Sequence, residues 1–253
     1  MKKLLMFLIC TLLFTCMAFS ASAFEIGARG KYWLPCLNGD IRVSGNGIDG
    51  TKLDLKDDLD MDEESYPVIE IFAGLGSHHL SLSYYSADYE GSKVLERAID
   101  FNGQTYAVST SIDTSLDYDV YEIMYQYDLL DLENVLAGFS LGPLFKLKII
   151  DGSVEVKSDL ICTSEDFTAP IPMLGINIHL GIFADILEAR LYAAGISYDD
   201  GSVFDGQADI SYTPFPFLDI HGGYRFFIMD VDAEDVEFNF NTSGPFVGLS
   251  VSF

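Results

Sequence analysis

VLAGFSLGPLFKLKI, from Val135 to Ile149, alternates without a break. One set of positions holds Val135, Ala137, Phe139, Leu141, Pro143, Phe145, Leu147 and Ile149. The other holds Leu136, Gly138, Ser140, Gly142, Leu144, Lys146 and Lys148. Successive side chains of a strand point to opposite faces, so one face here is apolar and the other small, polar or basic. LGINIHL repeats the pattern, with Leu174, Ile176, Ile178 and Leu180 against Gly175, Asn177 and His179. FLDIHGGYRFFI sets Leu218, Ile220, Tyr224, Phe226 and Ile228 against Asp219, His221, Gly223 and Arg225. Helical periodicity is almost absent.

Ten such segments are expected, near 24–34, 66–75, 78–90, 114–129, 134–150, 168–181, 186–198, 203–213, 217–231 and 243–253. Short connections near Gly76-Ser77, Asp131–Asn134, Ala184–Ile186 and Pro214–Pro216 alternate with long polar ones at 35–65, 91–113, 151–167 and 232–242. Only the connection near 199–202 breaks that trend. Short turns at one end and long loops at the other are the signature of an outer-membrane barrel, with the short turns on the periplasmic side.

A secreted lipocalin-like barrel or a β-sandwich also alternates. Two features decide against them. The polar face carries charges of both signs on neighbouring strands: Glu25, Arg29, Lys31, Glu70, Glu122, Lys146, Lys148, Glu188, Arg190, Asp205, Asp209, Asp219 and Arg225. Asn177, His179 and His221 share that face, as a narrow lumen filled by ion pairs would require. The apolar face, in contrast, is long and unbroken, with Tyr and Phe placed for aromatic girdles. The expected fold class is all-β: a closed antiparallel up-and-down transmembrane β-barrel of ten strands, with eight or twelve as the alternatives.

Lys2 and Lys3, the apolar run Leu4–Phe19 and the small-x-small site Ala21-Ser22-Ala23 read as a secretory signal peptide over residues 1–23. The barrel domain then spans 24–253. A lipoprotein reading of Leu13–Cys16 is disfavoured by the bulk of Phe14 and Thr15. Losing two lysines and no acids takes the formal charge from −25 to −27. So acidic a surface excludes nucleic acid as a partner and disfavours docking on anionic headgroups. The expected location is the cell outer membrane, with its lipid and lipopolysaccharide as surroundings and a monomer as the assembled state.

The chain closes on SGPFVGLSVSF (Ser243–Phe253). Phe253 with Val251, Leu249 and Val247 before it resembles the last strand of outer-membrane barrel proteins. The resemblance implies recognition of that strand by the barrel-assembly machinery. Gly222–Asp232 and Ser243–Phe253 also resemble the last two strands of small barrels of uncharacterised function, one family of which is named for a Gly-Gly motif that Gly222-Gly223 would match. Gly50–Glu64 and Arg97–Tyr106 look like loop features of the same group. It implies a location and an assembly route, and no activity.

Candidate chemistry is sparse. Barrel enzymes place a histidine or carboxylate constellation at the outer leaflet, whereas His78, His79, His179 and His221 all fall at the short-turn end, too far away to act as a base there. No catalytic residue and no cofactor is expected. His179, Glu188, Arg190, Asp219 and His221 are expected to gather in the periplasmic half of the lumen, with Lys146, Lys148 and Arg225 completing the lumen charge cluster. A self-neutralising plug is preferred there over a proton- or ligand-sensitive gate. Asp57, Asp58, Asp60 and Asp62, with Glu63 and Glu64, are candidate ligands for Ca²⁺ or Mg²⁺. The run lacks the spacing of an EF-hand loop, so loose bridging of cations is the preferred reading. Cys36 and Cys162 are the candidate disulfide, set against it by strands on opposite walls. The expected function is structural or surface-binding, with a narrow channel for ions or small molecules as the alternative and an outer-leaflet enzyme as the third.

Overall fold

The computed structural model describes residues 24–132, 138–183, 186–198, 201–233 and 236–253. The signal peptide expected over 1–23, and the faces assigned to Val135, Leu136 and Ala137, lie outside the described residues. The barrel wall is made by β1 (Phe24–Trp33), β4 (Tyr66–Leu75), β5 (His78–Val94), β8 (Ser111–Tyr127), β10 (Phe139–Lys157), β11 (Cys162–Phe183), β12 (Leu187–Tyr198), β13 (Gly201–Phe215), β14 (Leu218–Ala233) and β15 (Val236–Ser252). Neighbours pair antiparallel in chain order, and β15 closes on β1 from Gly27↔Ser252 to Trp33↔Phe246. Closure leaves the lipid-facing wall without a free sheet edge, as its surroundings require. Among the described residues there is no helix.

Five short strands decorate the frame: β2 (Cys36–Val43), β3 (Leu53–Asp54), the hairpin β6 (Ile99–Phe101) with β7 (Gln104–Tyr106), and β9 (Leu130–Asp131). β2 continues β1 past Leu34-Pro35 without losing register, since Cys36↔Ser243 and Val43↔Val236 extend the same pairing with β15. β4 begins only at Tyr66, so the upper wall between β2 and β5 is completed by the chain from 44 to 64. That segment bonds to β2 through Leu55 N–H and the Gly39 carbonyl, and to β5 through Asp62 N–H and the Glu90 carbonyl. Where it crosses β5, a side chain at Gly91 would collide with the Leu59 carbonyl oxygen.

Two connections expected as long polar loops are strand instead. β10 and β11 stay paired out to Lys157↔Cys162, and β14 and β15 out to Ala233↔Val236. The reason is an inversion of polarity along each strand. Near the short turns β8 turns Tyr121, Ile123, Tyr125 and Tyr127 outward and Glu122 inward; farther up it turns Asp113, Asp117 and Asp119 outward and buries Ile112, Leu116, Tyr118 and Val120. β10 does the same between Ile149, which faces out, and Ile150, which is buried. The lower barrel is therefore apolar outside and charged inside, and the upper barrel resembles a soluble protein, with an apolar core.

The inversion marks the membrane boundary. Phe24, Tyr125, Tyr127, Phe183, Phe215, Phe217 and Phe253 stand exposed around the short-turn end, and Tyr32, Tyr84 and Tyr121 around the upper limit of the apolar band. Tyr84 donates to Asp119 at 2.7 Å and Tyr32 to the Ser65 carbonyl at 3.2 Å, so both hydroxyls reach above the band while their rings stay in it.

Above that limit the outer wall is acidic. Asp88 lies directly across from Asp117, and Asp119 from Asp151. Like charges so placed repel. The contact with Asp88 pushes the Asp117 carboxyl up to about 6, helped by partial burial. A carboxyl whose value is raised on folding stabilises the fold while protonated and loses that contribution as pH rises through the raised value. Asp117→Asn should thus raise the urea midpoint of the refolded barrel at pH 8, and the gain should vanish near pH 4. Equal gains at both values would exclude the repulsion as the cause.

Candidate functional site

The lumen has three layers, set by which residues each strand turns inward. The uppermost is an apolar core built from Leu116, Tyr118, Val120, Ile150, Val154, Phe227, Met229 and Phe240 on the wall strands. Leu53, Leu55, Leu59 and Met61 from the 44–64 segment, and Ile99, Phe101 and Tyr106 from the β6–β7 hairpin, close it from above. Each of these seven side chains is at most 4% exposed. Tyr106 also donates its hydroxyl to the Val156 carbonyl at 2.8 Å, which ties the hairpin to β10.

Beneath lies a belt of buried ions. Asp205 meets Lys146 at 2.9 Å, Lys148 at 2.5 Å and Arg225 at 3.3 Å. Glu122 meets Lys146 at 3.3 Å, Lys148 at 3.1 Å and Arg225 in a tight contact. Tyr192 donates to Asp205 at 2.9 Å. Aromatic faces take up the remaining positive charge: Lys148 Nζ lies 3.6 Å from the Phe227 ring centre, and the Arg225 guanidinium 4.9 Å from that of Trp33. The belt has five charged side chains, none more than 6% exposed.

The lowest layer is a vestibule of about 420 Å³. Glu70 bridges Arg29 at 2.9 Å and Lys31 at 3.0 Å on its inner wall. Arg190 pairs with Asp209 at 3.3 Å. Toward the mouth, His79 meets Asp128 at 2.9 Å and His179 meets Glu188 at 3.3 Å.

Asp209, His221 and Ser250 resemble a nucleophilic triad in composition, but the protons run the wrong way. Arg190 can only donate, and its Nη2 at 2.8 Å from His221 Nδ1 is much nearer than Asp209 Oδ2 at 3.5 Å, which assigns that nitrogen as the acceptor. Nε2 must then carry the proton and donate to Ser250 Oγ at 2.7 Å, while Ser250 donates onward to Asp219 at 2.9 Å. A base that activates serine needs an unprotonated Nε2. The chain Arg190–His221–Ser250–Asp219 is a closed hydrogen-bond relay.

His179, Glu188, Arg190, Asp219 and His221 do meet in the lower lumen, as pairs and relay. Lys146, Lys148 and Arg225 form the separate belt above them. Glu122 and Asp205, two of the charges expected on the polar face, are the anions that hold that belt, and Ser250 enters the relay from the same inward phase on β15. The acidic run is not gathered around one point. Asp54 Oδ1 caps the N–H groups of Lys56 and Asp57, Asp58 pairs with Arg97 at 3.1 Å, and Lys56 with Glu63 at 2.6 Å. The lysine holds the Glu63 carboxyl below the usual range. Among the described residues no three His, Cys, Asp or Glu side chains are arranged to hold a metal, so Asp57, Asp58, Asp60 and Asp62 form no ligand set. Cys36 and Cys162 are free and exposed, on β2 and β11, with β12, β13 and β14 between β11 and the β15 strand that pairs with β2. Val247, Leu249, Val251 and Phe253 face outward near the short turns.

No family model and no curated protein matches the sequence. Solved structures do. The outer membrane protease OmpT of Escherichia coli superimposes with a TM-score of 0.61 at 10% identity, over 92% of this chain and 99% of that one. The transport unit of the autotransporter AIDA-I of Escherichia coli gives 0.42 at 10% identity, over 94% and 92%. Ail, the attachment invasion locus protein of Yersinia pestis, gives 0.38 at 14%, over 91% and 99%. At such identity the likeness to OmpT is one of fold: this chain has the outer-membrane β-barrel fold.

Proposed function

We propose that this protein is a non-conducting outer-membrane barrel that presents a rigid acidic platform at the cell surface, in a structural or surface-binding role. The observation that carries this reading is the apolar core sealing the upper lumen. Phe227, Phe240 and Tyr118 pack ring against ring there at 5.9 to 6.3 Å, around a space of only about 20 Å³. The charged belt beneath is held together by its own pairs. A signal peptide over 1–23, assembly through the Val247–Phe253 pattern, a monomeric state and surroundings of outer-membrane lipid and lipopolysaccharide complete the reading. Membership of the Gly-Gly-motif group rests on Gly222-Gly223 and the two strands around it.

The absence of enzymatic activity belongs to the same proposal. The histidines lie at the short-turn end, and the one serine–histidine contact among them has the wrong polarity for catalysis. The test of the sealed barrel is planar-bilayer recording of the refolded protein. No stable conductance steps are expected. Ion-selective steps that change in Lys146→Gln or Arg225→Gln would overturn the seal and establish a channel.

A further inference from the structure

The lipid-facing wall closes on itself, but above it β11 outruns its neighbour. β12 pairs with β11 no farther up than Leu174↔Gly195, whereas β10 stays paired with it to Lys157↔Cys162. Ser158 N–H donates to the Ile161 carbonyl and Gly181 N–H to the Gly138 carbonyl, so the odd-numbered residues of β11 bond to β10. The even-numbered ones turn their N–H and C=O groups to the other side. From Thr168 up to Ser164 that side has no paired strand among the described residues. Ser164, Asp166 and Thr168 are exposed there, each with a backbone donor and acceptor. Pro170 and Pro172 fall in the same phase just below, where a missing N–H costs no ladder bond. The opposite edge of this upper sheet is covered instead. On β5, Asp88 N–H donates to Glu64 Oε2 at 2.7 Å, and the Glu90 carbonyl accepts from Asp62 N–H at 2.9 Å.

The free edge is also held in shape. Asn102 donates to Glu165 at 3.0 Å, Thr163 Oγ1 lies 3.0 Å from the Tyr106 hydroxyl, and Phe167 and Ala169 pack against the apolar core. An edge so fixed loses little entropy when a strand is added to it. Its charge selects the strand. The outward side chains of β8, β10 and β11 at this level include Asp117, Asp119, Asp151, Glu155 and Asp166, with Lys157 the one cation among them. Two copies of this chain paired edge to edge would bring two such faces together, which like charges oppose. A segment with Lys or Arg at alternate positions would lay its cations beside Asp166 and its backbone along the free groups. We propose that the β11 edge from Cys162 to Thr168 takes an extended basic segment of another protein as an added strand, antiparallel like the neighbours already in the sheet. This deepens the surface-binding reading above and rests on it.

The experiment is fluorescence anisotropy of a labelled peptide of about nine residues, alternating lysine and valine, with the refolded barrel in detergent. Saturable binding is expected. In an antiparallel pair the residues opposite Ser164, Asp166 and Thr168 share their outward face and exchange backbone bonds with them, so these are the lysines. N-methylation of the lysine backbone nitrogens should weaken binding about tenfold or more, and N-methylation of the valines should not. Thr168→Pro removes one donor from the edge and should also weaken binding about tenfold. Thr168→Ala keeps the N–H, loses the 2.7 Å bond to Asp151, and should bind as the parent does. Each variant is checked for heat-modifiable migration, so that a misfolded barrel is not scored. Equal affinity of the lysine-methylated and unmethylated peptides, or of Thr168→Pro and Thr168→Ala, overturns strand addition and leaves a surface that gathers basic chains by charge alone. No saturable binding overturns the site, and whether the barrel is sealed is decided separately by the bilayer recording.

Discussion

Asp205→Asn should cost the barrel about 3–5 kcal/mol, the usual penalty for removing one partner of a buried ion pair. The carboxylate is fully buried and is the shared anion of Lys146, Lys148 and Arg225. Asparagine keeps its shape and its contact with Tyr192, so no cavity accompanies the change. What is lost is the charge, leaving three buried cations on Glu122 alone. The measurement is urea unfolding of the refolded protein, followed by the heat-dependent mobility shift. The single variant should lose most of its shifted band at a urea concentration where the parent keeps it. Adding Lys148→Met should restore a large part of the loss, because it removes the charge left without a partner. A single variant within about 1 kcal/mol of the parent would mean that water or an ion enters the belt and solvates it.

The same belt shows what could be read from the chain and what could not. Lys146 and Lys148 were visible as charges on the inward face of β10, since a period of two assigns every residue of a strand to one side. Glu122 and Asp205 were visible in the same way, but not as their partners, because they lie on β8 and β13 and the meeting depends on the stagger of the closed sheet. The ten strands were legible wherever apolar residues face lipid. Above the band the alternation continues with its polarity reversed, so 151–157 and 162–167 read as polar loop although they are paired strand. A mark was present all the same. Tyr84-Tyr85, Val120-Tyr121, Ile149-Ile150 and Ile228-Met229 are adjacent apolar pairs in otherwise alternating strands, and in each pair one residue faces outward and the other is buried. Two neighbouring apolar residues are needed where the buried side changes from lipid-facing to core-facing. The acidic run misled for a different reason: Asp54 spends its carboxylate on backbone N–H groups, and Arg97 and Lys56 take Asp58 and Glu63. Cys36 and Cys162 shared a mouth in sequence order, but the closed wall sets them strands apart.

Leu59→Asp should open the top of the barrel without unfolding its wall. Leu59 is 1% exposed, and with Leu53, Leu55 and Met61 it packs the 44–64 segment onto Tyr89 and the β6–β7 hairpin. A carboxylate there has no cation to meet inside an apolar cluster, and its burial costs several kcal/mol. The segment can avoid that cost by leaving, because the ten strands close on one another without it. Each loss of about 2.8 kcal/mol in its docking raises the open population roughly a hundredfold. Lys52 and Lys56 lie within the segment, so trypsin applied to intact cells reads the opening directly. The parent should resist; Leu59→Asp should be cut at these lysines while its core band keeps the heat-dependent shift. Leu160→Asp, at a position 94% exposed on the β10–β11 turn, should behave as the parent does. Equal resistance in Leu59→Asp would mean that hydrogen bonds such as Asp62 to Glu90 hold the segment by themselves. Loss of the shifted band would mean that the segment is part of the wall's own stability, which the missing upper half of β4 makes the sharpest alternative.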